Sequence, residues 1–112
     1  MIITKSEPYT VEEIEKLKEE FDVYIKTVID IEKKICSAGC NRHFESEQIL
    51  LSNGSLQDTI WGGGIDLETN IIDFNSFINI RPRQHNTSNE LQNKDLCNKY
   101  EELTRYFFKA LL

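Results

Sequence analysis

No stretch of the chain is apolar enough to cross a membrane, and glycine and proline are scarce. A membrane-spanning helix needs about 20 consecutive apolar residues, and the sequence contains no such run. With 5 glycines and 2 prolines among 112 residues, the chain is neither collagen-like nor linker-like. Residues 1–8 include no apolar signal core. We therefore expect a cytoplasmic protein that makes no contact with membranes.

Basic residues are fewer than acidic ones. Lysine and arginine number 13 against 19 aspartates and glutamates, which gives a formal charge of −6. Because counterion release along a nucleic-acid backbone rewards basic surfaces, extended nucleic-acid binding is not expected. From Arg81 onward, however, 6 bases stand against 4 acids, so this part of the chain is compatible with a local site for a small anion.

Cysteine occurs three times, as Cys36, Cys40 and Cys97. An odd number without a secretion signal argues against a disulfide framework and for reduced thiols in a cytosol. Cys36, Cys40 and His43 imitate part of a zinc ligand set, but on an extended strand the two thiols would lie about 13 Å apart. We expect no bound cofactor.

The size and composition predict a single domain, residues 1–112, with helices in three places. Hydrophobic residues make up 39 % of the chain, which is enough for a packed core. Thr10 and Glu13 have the spacing of a capping box, and an amphipathic pattern follows them. Residues 46–52 form a second helical segment, and Asn93 precedes a third whose apolar residues repeat at three and four positions.

Two further regions have the alternating pattern of β-hairpins. Residues 23–31 are expected to turn at 32–34 into residues 35–39, and residues 60–67 to turn at 68–70 into residues 71–81. In the last strand, the even positions suit a buried face, and the odd positions from Asp73 to Arg81 suit an open one. The glycines at 62–64 lack the ending of a phosphate-binding loop and indicate a bulge or the close passage of another segment.

The resulting order of elements is α-ββ-α-ββ-α. It predicts an α+β domain of two layers, in which an antiparallel sheet built from two β-hairpins has the helices packed on one face. The other face would then be open to solvent, a ligand or a second copy of the chain.

The segment FINIRPRQHNTS, residues 77–88, resembles the signature I-N-I-R-P-x-Q-x-N-x-S of a family of short bacterial and archaeal proteins classed as a domain of unknown function. Residues 28–32, 53–55 and 61–62 fit the same family pattern. The resemblance implies a shared fold and no assigned activity. The pattern has Gly at the position of His85, Arg at Thr87, Glu at Asn41 and Asp at Glu45, and these departures weaken family roles for those positions.

The end of the last predicted strand and the loop after it form the first candidate site. Arg81 and Arg83 flank a rigid proline, and a guanidinium group can grip a carboxylate or phosphate through two hydrogen bonds. Alternatively, Arg81 pairs with Asp73 or Asp66 across the sheet, and the amides of Gln84 and Asn86 only hold the loop. The predicted ligand-binding set is Arg81, Arg83, Gln84, Asn86, Asn79 and Asp73.

The second candidate site would bind a metal ion. Asp30-x-Glu32 and His43-x-Glu45 offer carboxylate and imidazole ligands near the two ends of the first hairpin. No compact motif such as His-Glu-x-x-His accompanies them. The alternative is that the carboxylates pair with the adjacent lysines and that the histidine lies on the surface.

These features favour a small cytosolic binding or regulatory module with an anion-recognising surface around residues 81–86. Phe77 on the predicted polar face indicates a covered surface, so we expect a homodimer or a protein partner, and a small anionic ligand is compatible with the loop. The alternative function is a metal-dependent hydrolase or nuclease that uses Asp30, Glu32, His43 and Glu45. The missing ligand motif and the acidic net charge favour the module.

Overall fold

All 112 residues, Met1–Leu112, are described by the computed structural model, which contains a five-stranded antiparallel sheet and three α-helices. The strands are β1 (Ile3–Lys5), β2 (Tyr24–Asp30), β3 (Ile35–Ala38), β4 (Ile60–Asp66) and β5 (Ile72–Asp73). The helices are α1 (Val11–Glu20), α2 (His43–Ser52) and α3 (Lys94–Phe107). Across the sheet the strands lie in the order β1-β3-β2-β4-β5. The α+β class with an antiparallel sheet is confirmed, but the element order differs from the prediction because β1 precedes α1.

Side chains that bond to backbone N–H groups set where α1 and α3 begin. The Glu13 N–H donates to the Thr10 hydroxyl at 3.2 Å, and the Thr10 N–H donates to the Glu13 carboxylate at 2.8 Å, as in the predicted capping box. The side chain of Asn93 caps α3 in the same way, by accepting from Asp95 and Leu96. None of the three helices is long and apolar enough to cross a membrane.

Helix α2 begins at His43, three residues before the predicted start. The carboxylate Oε1 of Glu45 accepts hydrogen bonds from the N–H groups of Asn41 at 3.1 Å and Arg42 at 2.8 Å. A carboxylate in the first turn satisfies donors that have no partner within the helix and favours the positive end of its dipole. The extra turn places His43 and Phe44 on the helix.

Strands β2 and β3 form the first predicted hairpin, which turns after Asp30. The Asp30 Oδ1 accepts from the N–H groups of Glu32 and Lys33, at 3.0 Å each. Lys34 closes the turn in the left-handed region, with φ 57°. The turn therefore lies where the run of polar residues predicted it.

The helices cover both faces of the sheet, so the predicted packing on a single face is wrong. One face carries α1 and α3 over the main core, which includes Ile25 and Ile29 of β2. On the other face, Leu50 of α2 packs against Val28 and Ile60. Strands β2 and β4 are central in the sheet, and central strands bury both faces. Val28 and Asp30, on the face of β2 opposite Ile25 and Ile29, are accordingly buried as well.

The second hairpin is much shorter than predicted, because β5 ends at Asp73. It pairs only with Gly64 and Ile65 of β4. The chain then forms 3-10 turns at Phe77–Asn79 and Pro82–Gln84. The expectation of an extended strand over residues 71–81 with an open polar face is therefore wrong, and part of the outer edge of β4 has no strand beside it.

The glycines of β4 allow close approach of side chains to the sheet. A Cβ on Gly62 would lie 2.7 Å from Cβ of Ser76 and 3.1 Å from the ring of His43. A Cβ on Gly64 would overlap the hydroxyl group of Tyr24. The pairing of β2 with β4 is continuous from Tyr24 to Asp30, so these glycines accommodate close packing and not a bulge.

Candidate functional site

Asn79, predicted on an open sheet face, is buried and takes the place of a strand partner of β4. The Gly62 N–H donates to its Oδ1 at 2.8 Å, and its Nδ2 donates to the Gly62 carbonyl at 2.9 Å. The Nδ2 group also lies 3.1 Å from the carbonyl oxygens of Phe74 and Asn89. The amide thus supplies the paired acceptor and donor of a β-ladder at a residue that β5 does not reach.

The guanidinium group of Arg81 also lies inside the protein. It donates to the carbonyl oxygens of Ile78, Gln57 and Ile60 and to the Gln84 side chain. Its carbon lies 4.2 Å from the centre of the Trp61 ring, and its Nη2 lies 3.7 Å from Oε2 of Glu47. Burial lowers the pKa of Arg81, and the carboxylates of Glu47 and Asp58 act in the opposite direction. Arg81 therefore neutralises a buried glutamate and bonds to the edge of β4, and the alternative pairing with Asp73 or Asp66 does not form.

The side chain of Asn86 holds the loop that follows. Its Nδ2 donates to the carbonyl oxygens of Asn79 at 2.9 Å, Ser88 at 2.9 Å and Glu90 at 3.1 Å, and its Oδ1 accepts from the Gln92 N–H at 2.9 Å. It is 2 % exposed, so it lies behind the surface of the loop.

The other predicted ligand-binding residues lie nearer to solvent. Gln84 donates to the Asp58 carbonyl at 2.9 Å, and Asp73 accepts from the Tyr24 hydroxyl at 2.9 Å. Arg83 is exposed and forms no ion pair. The structure does not bring the six predicted residues together on one surface, and ligand binding at this loop stays a prediction.

The residues of the predicted metal site lie in separate places. No group of three or more His, Cys, Asp or Glu side chains is arranged to hold a metal ion. Asp30 holds the β2–β3 turn, Glu45 caps α2, and His43 bonds to the Gly63 carbonyl. The structure therefore does not bring these side chains together, and a metal site from Asp30, Glu32, His43 and Glu45 stays a prediction.

Asp30 is a buried carboxylate that serves the fold. Burial alone would raise its pKa, but the Ser55 side chain and the hydrogen bonds from the Lys33 N–H, the Thr59 hydroxyl and the Glu32 N–H outweigh that effect, and the pKa of Asp30 lies below its ordinary value. The ionised carboxylate joins the β2–β3 turn to the segment that leads into β4.

A cleft of about 390 Å³ opens on the sheet face that carries α2. The start of α2 forms one side, and the 3-10 turn after β5 forms the other. Eight residues line it: Lys26, Asn41, Arg42, His43, Phe44, Ser76, Phe77 and Ile78. The cleft exists because the chain leaves the sheet after β5 instead of continuing as a strand.

The charged side chains of the cleft are all basic. Lys26 and Arg42 line it, and no aspartate or glutamate does. Neither cation forms an ion pair within 4.0 Å. In a chain with a formal charge of −6, two unpaired cations in a concave surface produce a local positive potential.

His43 lies at the inner wall of the cleft. Its Nε2 lies 2.7 Å from the Gly63 carbonyl oxygen, so this nitrogen carries the proton and Nδ1 does not. Burial lowers the pKa of His43, the ammonium group of Lys26 lowers it further, and the Gly63 carbonyl and Asp73 oppose them. The ring is therefore neutral at pH 7.

Ser76 is a further polar group in the cleft. It is 5 % exposed, and its Oγ accepts from the Ile78 N–H at 3.3 Å. Its hydroxyl donates no hydrogen bond within the chain, so this proton is free for a ligand. Ser76 and His43 both lie against Gly62, yet no hydrogen bond joins them, and a nucleophile–base pair is not assembled.

Most residues of the cleft carried no signal in the sequence. Lys26, Arg42 and Phe44 belong to no motif and come together because α2 lies over β2. His43 was singled out only as a candidate metal ligand, and Phe77 because an aromatic residue was unexpected on a polar face. Phe77 is 84 % exposed at the rim of the cleft.

Comparison with known proteins identifies a family without a known activity. No curated protein and no solved structure matches the chain significantly. The family model described as "Protein of unknown function (DUF5674)" matches residues 1–107. That match covers nearly the whole chain, including both hairpins, the cleft and the loop around Arg81. The chain therefore belongs to this family of proteins of unknown function.

Proposed function

We propose that the protein is a small cytosolic binding module whose cleft beside α2 receives an anionic group. The observation that carries the proposal is the lining of the cleft, where Lys26 and Arg42 have no carboxylate partner and no carboxylate lies among the lining residues. An ammonium and a guanidinium group each donate several hydrogen bonds to a phosphate or carboxylate. The odd number of cysteines supports the cytosolic location.

The neutral groups of the cleft support the same chemistry. The Ser76 hydroxyl is a donor without an acceptor in the chain. His43 presents a neutral imidazole, so it adds no charge at pH 7 and does not repel or compete with the two cations. An anion in the cleft thus has two charged donors and one neutral donor within a single concave surface.

The test is a titration with inorganic phosphate, followed by backbone NMR at low ionic strength. We expect the amide signals of Lys26, Arg42, His43 and Ser76 to shift, and the double variant Lys26→Gln/Arg42→Gln to lose these shifts. The matched control is Lys16→Gln/Lys109→Gln, which removes the same charge from exposed positions away from the cleft. Raising the salt to 0.5 M should weaken the shifts, because solvent-exposed charges are screened. Shifts that survive in the cleft double variant would overturn the proposal.

The loop around Arg81 provides the competing location for an anion. Arg83 is its only exposed cation without an ion pair, so Arg83→Gln tests that location directly. We expect this variant to bind phosphate like the unchanged protein. Loss of binding in Arg83→Gln, with binding retained in the cleft double variant, would move the site to the loop.

Self-association is the second candidate, and the exposure of Phe77 favours it. Phe77 is 84 % exposed and Phe44 beside the same cleft is 49 % exposed, so two exposed aromatic side chains lie at one place on the surface. Sedimentation of the protein and of Phe77→Ser decides between the states. A dimer that becomes a monomer in the variant supports the homodimer, whereas two monomers of equal mass exclude it.

A further inference from the structure

We infer that the ligand of the cleft is a planar aromatic ring that carries a phosphate or carboxylate group. The inference rests on the proposed anion binding and adds an aromatic ring as the second part of the ligand. Phe44 and Phe77 stand on opposite sides of the cleft, one on α2 and one on the 3-10 turn after β5. An aromatic ring between them would bury apolar surface that the free protein leaves in water.

Neither phenyl ring packs against another aromatic ring of the protein, so both can contact a ring of the ligand. The aromatic contacts of the protein join Tyr9, Phe74, Tyr100, Tyr106, Phe107 and Phe108, and neither Phe44 nor Phe77 is among them. Both rings lie near the mouth of the cleft, where they are 49 % and 84 % exposed. Offset stacking of aromatic rings is favourable beyond the area that it buries.

The cleft is also larger than an inorganic anion would fill. A volume of about 390 Å³ lies within the range of small-molecule pockets, which runs from about 300 to 1,000 Å³. A tetrahedral oxyanion beside Lys26 and Arg42 would leave most of this volume to the second part of the ligand. Three of the six uncharged lining residues, Phe44, Phe77 and Ile78, are hydrophobic and suit a ring.

A strand of nucleic acid fits the same chemistry less well. Sites for single strands combine aromatic platforms with a basic groove that follows several phosphates. Here only two cations line a single short cleft, and the chain as a whole carries a charge of −6. The charge therefore favours a single ring with one anionic group over a polymer.

Three related probes separate the two halves of the ligand. Adenosine monophosphate carries a ring and a phosphate, ribose 5-phosphate lacks the ring, and adenosine lacks the phosphate. We expect adenosine monophosphate to bind at least tenfold more tightly than either of the others in a calorimetric titration. Benzoate and phenyl phosphate, compared at equal concentration, then distinguish a carboxylate from a phosphate as the anion.

Variants at the rim test where the ring lies. Phe44→Leu and Phe77→Leu keep an apolar side chain but remove the aromatic face, and both should reduce the advantage of adenosine monophosphate over ribose 5-phosphate to less than threefold. Binding of ribose 5-phosphate should not change. The matched control is Tyr106→Leu, an aromatic residue that is 45 % exposed on α3, and it should leave all affinities as they are.

The outcomes distinguish this inference from the proposed function. If inorganic phosphate and ribose 5-phosphate bind in the cleft but adenosine monophosphate and phenyl phosphate bind no more tightly, the aromatic ligand is excluded and anion binding stands. If none of the anions binds in the cleft, both are excluded. If the ring improves binding equally in both leucine variants, the ring lies elsewhere and the inference fails.

Discussion

The side-chain amide of Asn79 pairs with both backbone polar groups of Gly62, at 2.8 Å and 2.9 Å. A residue 17 positions away in the chain thus replaces the next strand of the sheet. Both groups of Gly62 are buried, and a buried backbone group without a partner costs about as much as a lost hydrogen bond. The contact is therefore a structural requirement at the point where the sheet would otherwise continue.

Replacing Asn79 by alanine should lower the free energy of unfolding by about 2 to 4 kcal/mol, since each buried group left without a partner costs ~1–3 kcal/mol. Urea unfolding followed by circular dichroism measures the change. The control is Asn89→Ala, an exposed side chain in the same region that makes no hydrogen bond, and it should change stability by less than about 0.5 kcal/mol. Equal effects of the two variants would show that the pairing with Gly62 contributes nothing.

Arg81→Lys should destabilise the protein by about 2 to 4 kcal/mol although the charge is kept. A lysine ammonium cannot reproduce the planar fork that reaches Ile78, Gln57 and Ile60, and it leaves the Trp61 ring without its stacked partner. Trp61 is the single tryptophan, so its fluorescence in the folded state should also change. The exposed Arg83→Lys is the control and should keep both stability and spectrum. An unchanged spectrum in Arg81→Lys would contradict the stacked arrangement.

The pKa of Asp30 predicts a pH dependence of stability. Because the folded-state pKa lies below the ordinary value, the carboxylate stabilises the fold above the unfolded pKa of about 3.9 and loses this effect as the pH falls through the folded value. Asp30→Asn should be less stable at pH 7 by about 1 to 3 kcal/mol, and the difference should shrink below pH 4. Urea unfolding at several pH values measures it, with exposed Asp22→Asn as the control. Parallel pH profiles for the protein and Asp30→Asn would refute the role of this group.

His85 occupies a backbone conformation that suits glycine. Its φ is 60° and its ψ is 25°, in the left-handed region at the end of the turn Pro82–Gln84. A residue with a Cβ is strained in this conformation, whereas glycine adopts it freely. His85→Gly should raise the free energy of unfolding by up to about 1 kcal/mol, whereas His85→Ala should bring no gain. A thermal melt of the two variants measures the difference, and equal melting temperatures would contradict the strain.

Short-range patterns explain which elements were predictable. The capping box at Thr10 and the turn after Asp30 depend on residues within four positions, and both occur as the sequence indicates. The end of β5 at Asp73 was not predictable in this way. The isoleucines that follow alternate as in a strand, but the Ser76 hydroxyl accepts from the Ile78 N–H, and a 3-10 turn begins there instead.

The candidate site depended on contacts that no local pattern reveals. Asn79 and Arg81 were selected for their polar chemistry, and that chemistry is directed to the backbone of β4, at residues 17 and 21 positions away. Lys26 and Phe44 could not be predicted as neighbours, because nothing in the sequence shows that α2 lies over β2. Two lining residues carried a signal: His43 as a candidate metal ligand, and Phe77 as an aromatic side chain on a predicted polar face.

The side chains along the outer edge of β4 have a consequence for solubility. An uncovered strand edge is a template on which another chain can add a strand and begin to aggregate. On this edge of β4, the Ile60 carbonyl accepts a hydrogen bond from the guanidinium group of Arg81. The Gly62 N–H donates to the side-chain amide of Asn79. Without the docked segment that carries Asn79 and Arg81, this part of the edge would be bare, so the two side chains protect the sheet against the addition of a foreign strand.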